Sequence, residues 1–332
     1  MNRQSFAQRC TVPISTIFAL SLALVVEVLA AEPFKPSCED VQRRVHGHGP
    51  ATLRKVWQEL GITPEVYVLA EWQNPTNEFA EKVVLQVHRE SGAFSGKRSR
   101  YVLLVISSAP YGPHQYLFFV QTGATCRYIG HVDAWDKYKQ PQYRFMSRGY
   151  GGTFFVLELY AGSGTGFYRE LEWWYAVDEK DVRFVLGYPF KGHEQPAGNA
   201  PTIFEFSTSS EYKSSSDTER IDLVVRAEYQ GMLRSLDGAY FDLFSTRREA
   251  VFAWNAIEQR FVLSQPAEIS IGYLDWMSRE WTDQGFLEYH AVELTEIAKD
   301  GTAEQKSWLQ KLLDSTVGPQ AETLKAMLSA EK

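Results

Sequence analysis

The spacing of apolar residues divides the chain into three stretches. Between residues 31 and 100 apolar positions recur every three or four residues, a pattern typical of amphipathic helices. Helices are predicted at 38–45, 50–60 and 77–90. The third is ambiguous, because the composition of residues 83–87 also favours a strand. The first stretch is therefore predicted to be a mostly helical N-terminal segment.

From residue 101 to residue 265 the hydrophobic period changes to two, which predicts β-strands. Glycine, proline and polar turns separate the strands, and connections this short force neighbouring strands to run antiparallel. The segment 101–265 is therefore predicted to be an antiparallel meander folded into a sandwich or a partly closed barrel. Strands are expected at 101–106, 115–122, 125–133, 142–148, 153–161, 167–177, 182–188, 202–207, 220–229, 240–244, 251–254 and 260–263.

The helical period returns in the third stretch, residues 266–332. The segment 303–315 carries one apolar stripe, which favours burial in the core over a role as a docking face. The expected fold class is α+β, with a large antiparallel β-sheet, N-terminal helices and a C-terminal helical segment. Helices are predicted at 269–281, 285–299, 303–315 and 319–330, and the stripe consists of Trp308, Leu309, Leu312 and Leu313.

The first thirty residues have the features of a secretory signal peptide. Residues 17–26 are apolar but for Ser21, follow two arginines, and precede Val28-Leu29-Ala30, whose small residues suit a signal peptidase. Residues 1–30 are therefore predicted to be removed before Ala31, which places the mature protein in the periplasm or outside the cell. The alternative is an uncleaved anchor, but a spanning helix needs about 20 apolar residues. After cleavage no membrane span is expected.

The net charge and the length of the chain limit the kinds of partner and cofactor to be expected. Without residues 1–30 the chain keeps 32 basic and 40 acidic side chains, a net charge of −8. This acidic balance argues against nucleic acid and anionic membrane surfaces as partners. The remaining chain is long enough to bury a sizeable core without a bound metal. No cofactor and no metal site are predicted.

Two cysteines, Cys38 and Cys126, remain in the mature chain. In an oxidising compartment such a pair is a candidate disulfide, which would tie the N-terminal segment to the sheet. The chain-entropy relation gives a loop of this length about 4 to 5 kcal/mol of stabilisation. The alternative is two separate buried thiols.

The strand predicted at 167–177 contains the candidate binding residues. Alternation places Tyr168, Glu170, Glu172 and Trp174 on one face, opposite a mostly apolar face that should look inward. Exposed aromatic rings beside carboxylates are typical of a sugar-binding surface, because a sugar has an apolar ring face and hydroxyls that need acceptors. These four residues are therefore predicted to bind a ligand. The alternative is ordinary cross-strand pairing on a solvated or helix-covered face.

Other motifs carry weaker signals. The glycine-rich segment 162–166 predicts a β-turn, because the strand period continues after it where a phosphate-binding loop would start a helix. The polar segments 189–201 and 207–218 are predicted to be loops. His131 and Asp133 share one strand face near Asp136 and could orient a base or bind a metal, but no further ligands follow from spacing, and a structural histidine is the alternative.

No catalytic motif is present, so the catalytic residues are unknown and the favoured function is that of an exported, non-catalytic binding protein. Its ligand or partner would be a small molecule, a glycan or an envelope protein. One alternative is a glycan-acting hydrolase of the cell envelope, with carboxylates drawn from Glu158, Glu170 and Glu172. Another is a scaffold or chaperone-like module whose C-terminal helices dock on a partner protein.

Overall fold

Two antiparallel β-sheets, one of four strands and one of eight, form the centre of the structure. The predicted signal peptide, 1–30, lies outside the described residues, and all the described residues belong to one compact unit. The computed structural model describes residues 37–46, 50–60, 85–94, 98–108, 112–136, 142–149, 152–164, 167–194, 202–214, 220–234, 239–264, 267–278 and 283–330.

These residues form helices at both ends of the chain and a continuous series of strands between them. The helices are α1 (Cys38–Val45), α2 (Pro50–Glu59), α3 (Ile271–Ser278), α4 (Asp283–Tyr289), α5 (Ala291–Asp300), α6 (Ala303–Ser315) and α7 (Pro319–Ala330). The strands are β1 (Leu85–Ala93), β2 (Arg100–Ser108), β3 (Gly112–Thr122), β4 (Thr125–Asp136), β5 (Gln142–Gly149), β6 (Gly152–Gly164), β7 (Phe167–Val177), β8 (Val182–Glu194), β9 (Thr202–Ser214), β10 (Ile221–Arg234), β11 (Tyr240–Asn255) and β12 (Arg260–Leu263).

The four-stranded sheet has the order β1-β2-β3-β4, and helices α1 and α2 cover one of its faces. Every second residue of β2 and β3 points to this face, as the period of two requires. The disulfide between Cys38 in α1 and Cys126 in β4 joins the two layers, which confirms the predicted pairing. The layer contains Val41, Val45, Val56, Trp57, Val102, Leu104, Ile106, Leu117 and Phe119.

The opposite face of the four-stranded sheet packs on the eight-stranded sheet. Phe118 meets Phe155 edge-on with ring centroids 5.0 Å apart, and Tyr101 stacks on Phe145 at 4.5 Å. The predicted sandwich is therefore confirmed. The larger sheet ends in the edge strands β12 and β5, so it is not closed into a barrel.

The eight-stranded sheet has the order β12-β11-β10-β9-β8-β7-β6-β5, and it bends so that β6, near one edge, contacts β12 at the other. Pairing of β8 with β9 covers residues 191–194 and 204–207. Phe154 of β6 nevertheless stacks on Phe261 of β12, with ring centroids 5.3 Å apart. The two halves of the sheet therefore face each other across an aromatic core.

The C-terminal helices complete this core. A capping box begins α6, because Thr302 accepts a hydrogen bond from the backbone of Gln305 and the Gln305 side chain accepts one from the backbone of Thr302. Trp308, Leu309 and Leu313 of α6 are buried and Leu312 is half-buried against the same core, which confirms the predicted stripe. No helix among the described residues is long and apolar enough to cross a membrane.

The structure corrects the predicted bounds of five elements. Residues 85–93 form a strand where the end of a helix was predicted, because they pair with β2 along their whole length; residues 77–84 lie outside the described part. The polar stretches 189–194 and 208–214 extend β8 and β9, because cross-strand pairing holds them. Strand β11 is continuous where two strands were predicted, and the helix predicted at 285–299 breaks at His290.

Candidate functional site

A polar groove of about 740 Å³ crosses one face of strands β7 to β11. The strands that form it bring polar side chains to the surface at alternate positions, while residues between them, such as Phe204, point into the core. The groove is lined by Tyr168, Lys191, Gly192, His193, Glu205, Phe206, Ser207, Glu228, Tyr229, Gln230, Ser245, Thr246 and Arg247. It is called the polar groove below.

The register aligns five lining residues in one row across five strands. Tyr168 of β7 lies opposite His193 of β8, and His193 lies opposite Glu205 of β9. Glu205 in turn pairs with Gln230 of β10, which pairs with Ser245 of β11. Four interstrand spacings of about 4.8 Å give this first row a length of roughly 19 Å. The row presents a phenol, an imidazole, a carboxylate, an amide and a hydroxyl in succession.

A second row runs beside the first and carries the cations of the groove. Lys191 of β8 lies opposite Ser207 of β9, Ser207 opposite Glu228 of β10, and Glu228 opposite Arg247 of β11. Arg247 Nη2 is 2.7 Å from Glu228 Oε1. Together with Glu205 of the first row, the lining therefore contains two cationic and two anionic side chains, whose formal charges cancel.

Tyr168 is held at one end of the groove by its neighbours. Its ring stacks on His193 with centroids 5.8 Å apart and 23° between the planes, and it tilts against Tyr160 at 5.2 Å. The Tyr168 hydroxyl donates a hydrogen bond to Glu170. These contacts fix the orientation of the ring, which lines this end of the groove.

Gly192 allows the strands under the groove to approach closely. A Cβ atom at this position would lie 2.4 Å from the backbone oxygen of Tyr168 and 2.4 Å from Cζ of Phe206. Both distances are too short for any side chain, and the Tyr168 oxygen is part of the backbone and cannot rotate away. The floor of the groove therefore depends on glycine here.

The structure separates the four predicted binding residues. Tyr168 lines the groove and Glu170 accepts its hydroxyl hydrogen bond. Glu172 and Trp174 lie further along the same strand face, but they are only 2% and 0% exposed. The expectation that all four are exposed is therefore wrong. The bend of the sheet is the cause, because it places Tyr212 of β9 over Trp174, with ring centroids 6.1 Å apart.

Glu172 is the centre of a buried hydrogen-bond network. Its Oε1 accepts from Trp174 Nε1 at 2.7 Å, from Ser210 Oγ at 3.3 Å and from the Tyr188 hydroxyl. Its Oε2 accepts from Arg144 Nη2 at 2.7 Å. Burial raises the pKa of Tyr188, and the charge of Glu172 raises it further. The network holds a charge in the core by supplying it with donors.

Two of the carboxylates considered for hydrolysis, Glu158 and Glu172, share one cationic partner. Arg144 bridges Glu158, at 2.5 Å, and Glu172, at 2.7 Å, which lie opposite each other on β6 and β7. Neither carboxylate lines the polar groove. The hydrolase hypothesis stays a prediction, as does the scaffold hypothesis for the C-terminal helices.

His131 forms a hydrogen-bonded chain on β4. Its Nδ1 is 2.8 Å from the Tyr128 hydroxyl, its Nε2 is 3.1 Å from Asp133 Oδ2, and Asp133 also accepts from Gln115 Nε2 at 3.2 Å. Burial raises the pKa of Tyr128, and the charge of Asp133 adds to this effect. Within the described ranges, no group of three histidine, cysteine, aspartate or glutamate side chains is placed to hold a metal ion.

Most groove residues were missed by the sequence interpretation. His193 falls in the segment 189–201, which was predicted to be a loop, and the sequence pattern does not single out Lys191, Glu205, Glu228 or Arg247. A signal was present, since polar residues alternate with buried ones along β9 and β10. It did not show which strands lie side by side, and the groove exists only through that pairing.

Comparisons with known proteins give little further information. No protein-family model matches the chain, and no curated protein matches it. Among solved structures, the GDP-Man-dependent mannosyltransferase MPT-1 from Leishmania mexicana aligns with 54% of this chain and 68% of its own, at 9% identity and a TM-score of 0.22. A similarity this low supports no inference about fold or function.

Proposed function

We propose that the chain is an exported, non-catalytic binding protein and that the polar groove is its ligand site. The predicted signal peptide supports export, and the disulfide between Cys38 and Cys126 is compatible with an oxidising compartment. The observation that carries the proposal is the first row, in which five different hydrogen-bonding side chains line one groove. Concave surfaces with a few convergent polar groups are typical of ligand sites.

The contacts inside the groove favour holding a ligand over reacting with it. Glu228 is paired with Arg247, and His193 stacks its ring on Tyr168. Acid–base catalysis requires a base within reach of the reacting proton and a partner that orients it. The arrangement instead offers a spread of donors and acceptors beside one fixed aromatic ring.

The matched pair Ser207 and Ser209 provides the test. Both serines are exposed on β9 and two positions apart, but only Ser207 lines the groove. Ser207→Trp should fill the groove, whereas Ser209→Trp should leave it open. Native mass spectra would be recorded for the wild type and both variants, purified gently from the exported fraction, and compared with the masses under denaturing conditions.

The proposal predicts a bound small molecule on the wild type and on Ser209→Trp, and its loss from Ser207→Trp. The denatured masses also report signal cleavage, because processing before Ala31 removes thirty residues. A bound molecule that persists on Ser207→Trp would place the ligand site elsewhere. A wild type that carries no bound molecule in the exported fraction would argue against the binding function.

A further inference from the structure

We infer that the polar groove binds an uncharged, linear glycan that lies across the strands, with one sugar ring stacked at Tyr168. This inference rests on the proposed function, because it names the ligand class of the same groove. Three independent features carry it: the charge balance of the lining, the direction of the groove relative to the strands, and the fixed aromatic ring at one end.

The charge balance argues against an ionic ligand. Lys191 and Arg247 are offset by Glu205 and Glu228 within the same lining. Nucleic acids and acidic polysaccharides are held by an excess of lysine and arginine, and polycations by an excess of carboxylates. A lining whose charges cancel offers hydrogen bonds but no net electrostatic attraction for a charged ligand. A neutral polar ligand suits this surface best.

The direction of the groove argues against an extended peptide. Peptides that add to a sheet as a strand use the free backbone groups of an edge strand. Here β10 is paired on both sides, with β9 and with β11, so its backbone donors and acceptors are already used. A ligand in the groove can therefore bind only to side chains, along a line that crosses the strands for roughly 19 Å. That shape suits an elongated chain of similar polar units.

The aromatic end matches the two-sided chemistry of a sugar ring. The Tyr168 ring lines this end of the groove, and its position is fixed by His193 and Tyr160. Sugars combine an apolar ring face with hydroxyls that both donate and accept hydrogen bonds. Glu205 accepts, and the amide of Gln230, whose Nε2 also donates to Asp242 at 2.7 Å, does both. One sugar ring on Tyr168 would bury its apolar face, and further rings along the first row would form hydrogen bonds through their hydroxyls.

The test measures retention of the exported protein on immobilised neutral oligosaccharides and on two charged polymers, heparin and polylysine. The neutral panel contains linear glucans, mannans, xylans, galactans and chitin oligomers, each as a series of increasing length. Retention on at least one neutral series is expected, with the dissociation constant falling as the chain lengthens and levelling off once the chain spans the five strands.

Variants of the lining test whether a retained oligosaccharide binds in the polar groove. Tyr168→Ala should weaken binding by about tenfold or more, because the stacking surface is lost. Tyr240→Ala is the matched control, since Tyr240 is an exposed tyrosine that does not line the groove, and should bind as the wild type does. Ser245→Trp, at the opposite end of the first row, is a second variant that leaves Tyr168 intact. It should weaken binding of long oligomers more than that of short ones.

Each outcome decides between the two proposals. Retention on heparin or polylysine alone, binding of monosaccharides that does not improve with length, or equal affinity of Tyr168→Ala and wild type would each overturn the glycan inference. If no neutral series is retained but the native mass spectrum shows a molecule that Ser207→Trp loses, the groove is still a ligand site and only its assignment to glycans fails. If neither retention nor a bound molecule is found, both proposals fail.

Discussion

The indole Nε1 of Trp174 donates a hydrogen bond of 2.7 Å to Glu172 inside the core of the bent sheet. The two residues lie on the strand face that also carries Tyr168, yet Tyr168 lines the groove while they are enclosed. Because the sheet bends, the two ends of this face of β7 have different roles. One half contributes to the proposed ligand site, and the other half holds the two halves of the sheet together.

Removal of the central carboxylate should destabilise the fold. Glu172→Ala leaves the Arg144 guanidinium without one of its two carboxylate partners and removes the carboxylate that accepts from Trp174 Nε1 and the Tyr188 hydroxyl. Breaking a buried charge network of this kind costs about 3 to 5 kcal/mol of unfolding free energy. Chemical denaturation would measure the loss. Glu211→Ala, which removes an exposed carboxylate paired with Lys213 and Arg226, should cost far less. Equal stability of the two variants would contradict the structural role of Glu172.

The disulfide should contribute much of the stability of the N-terminal layer. Cys38 and Cys126 are 88 residues apart in sequence, and closing a loop of that length stabilises a fold by about 4 to 5 kcal/mol. The double variant Cys38→Ala and Cys126→Ala should therefore show a clearly lower denaturation midpoint. Addition of a reductant should lower the midpoint of the wild type and leave the double variant unchanged. A midpoint unaffected by either change would refute this contribution.

His290 lies fully buried where α4 and α5 meet, and its ring centroid is 4.4 Å from that of Tyr229. Within the described part of the chain, neither ring nitrogen has a hydrogen-bond partner. Tyr273 of α3, Arg248 of β11 and Glu293 of α5 face the ring, and Glu293 Oε2 is 3.9 Å from Nδ1. Burial lowers the pKa of His290 to about 3, against the opposing charge of Glu293.

This histidine should make the fold sensitive to acid. Above pH 6.5 the imidazole is neutral in both the folded and the unfolded state, so it adds no pH dependence. Below pH 6.5 the imidazole takes up a proton in the unfolded state, whereas in the folded state it stays neutral until the pH approaches 3. The free energy of unfolding therefore decreases as the pH decreases. The loss between pH 6.5 and pH 4.5 should be about 2 to 3 kcal/mol.

Urea denaturation at these two pH values measures that loss directly. His290→Phe should remove most of it, because a phenyl ring suits the aromatic surroundings and takes up no proton. His193→Phe, which changes an exposed histidine, should keep the acid sensitivity of the wild type. The same loss in His290→Phe as in the wild type would show that other groups cause the acid sensitivity.

Gly192 should not tolerate a side chain. Gly192→Ala would force a Cβ atom to within 2.4 Å of the Tyr168 backbone oxygen, and overpacking of this kind costs about 1 to 3 kcal/mol. Gly272→Ala is the control, because its nearest neighbour is the hydroxyl end of the Tyr289 side chain, which can move. Thermal unfolding should show a large loss for the first variant and little change for the second. A neutral Gly192→Ala would mean that the strands under the groove can separate.

Local patterns predict the elements of this fold better than their arrangement. The helices at 303–315 and 319–330 follow from periodic apolar positions, and the strand at 167–177 follows from strict alternation. A period of two, however, carries no information about curvature, so the bend that encloses Trp174 could not be foreseen. The groove depends on which strands lie side by side and in what register, which is long-range information.

The most direct test of the polar groove as the ligand site is the acetylation rate of Lys191, read by mass spectrometry. Lys191 lines the groove, whereas Lys213 is exposed on β9 outside it and serves as the internal reference. Protein taken directly from the exported fraction would be compared with the same protein unfolded with its disulfide intact, desalted and refolded. A ligand in the groove predicts slower acetylation of Lys191 before desalting and an unchanged rate at Lys213. Equal rates at Lys191 in both preparations would contradict an occupied groove.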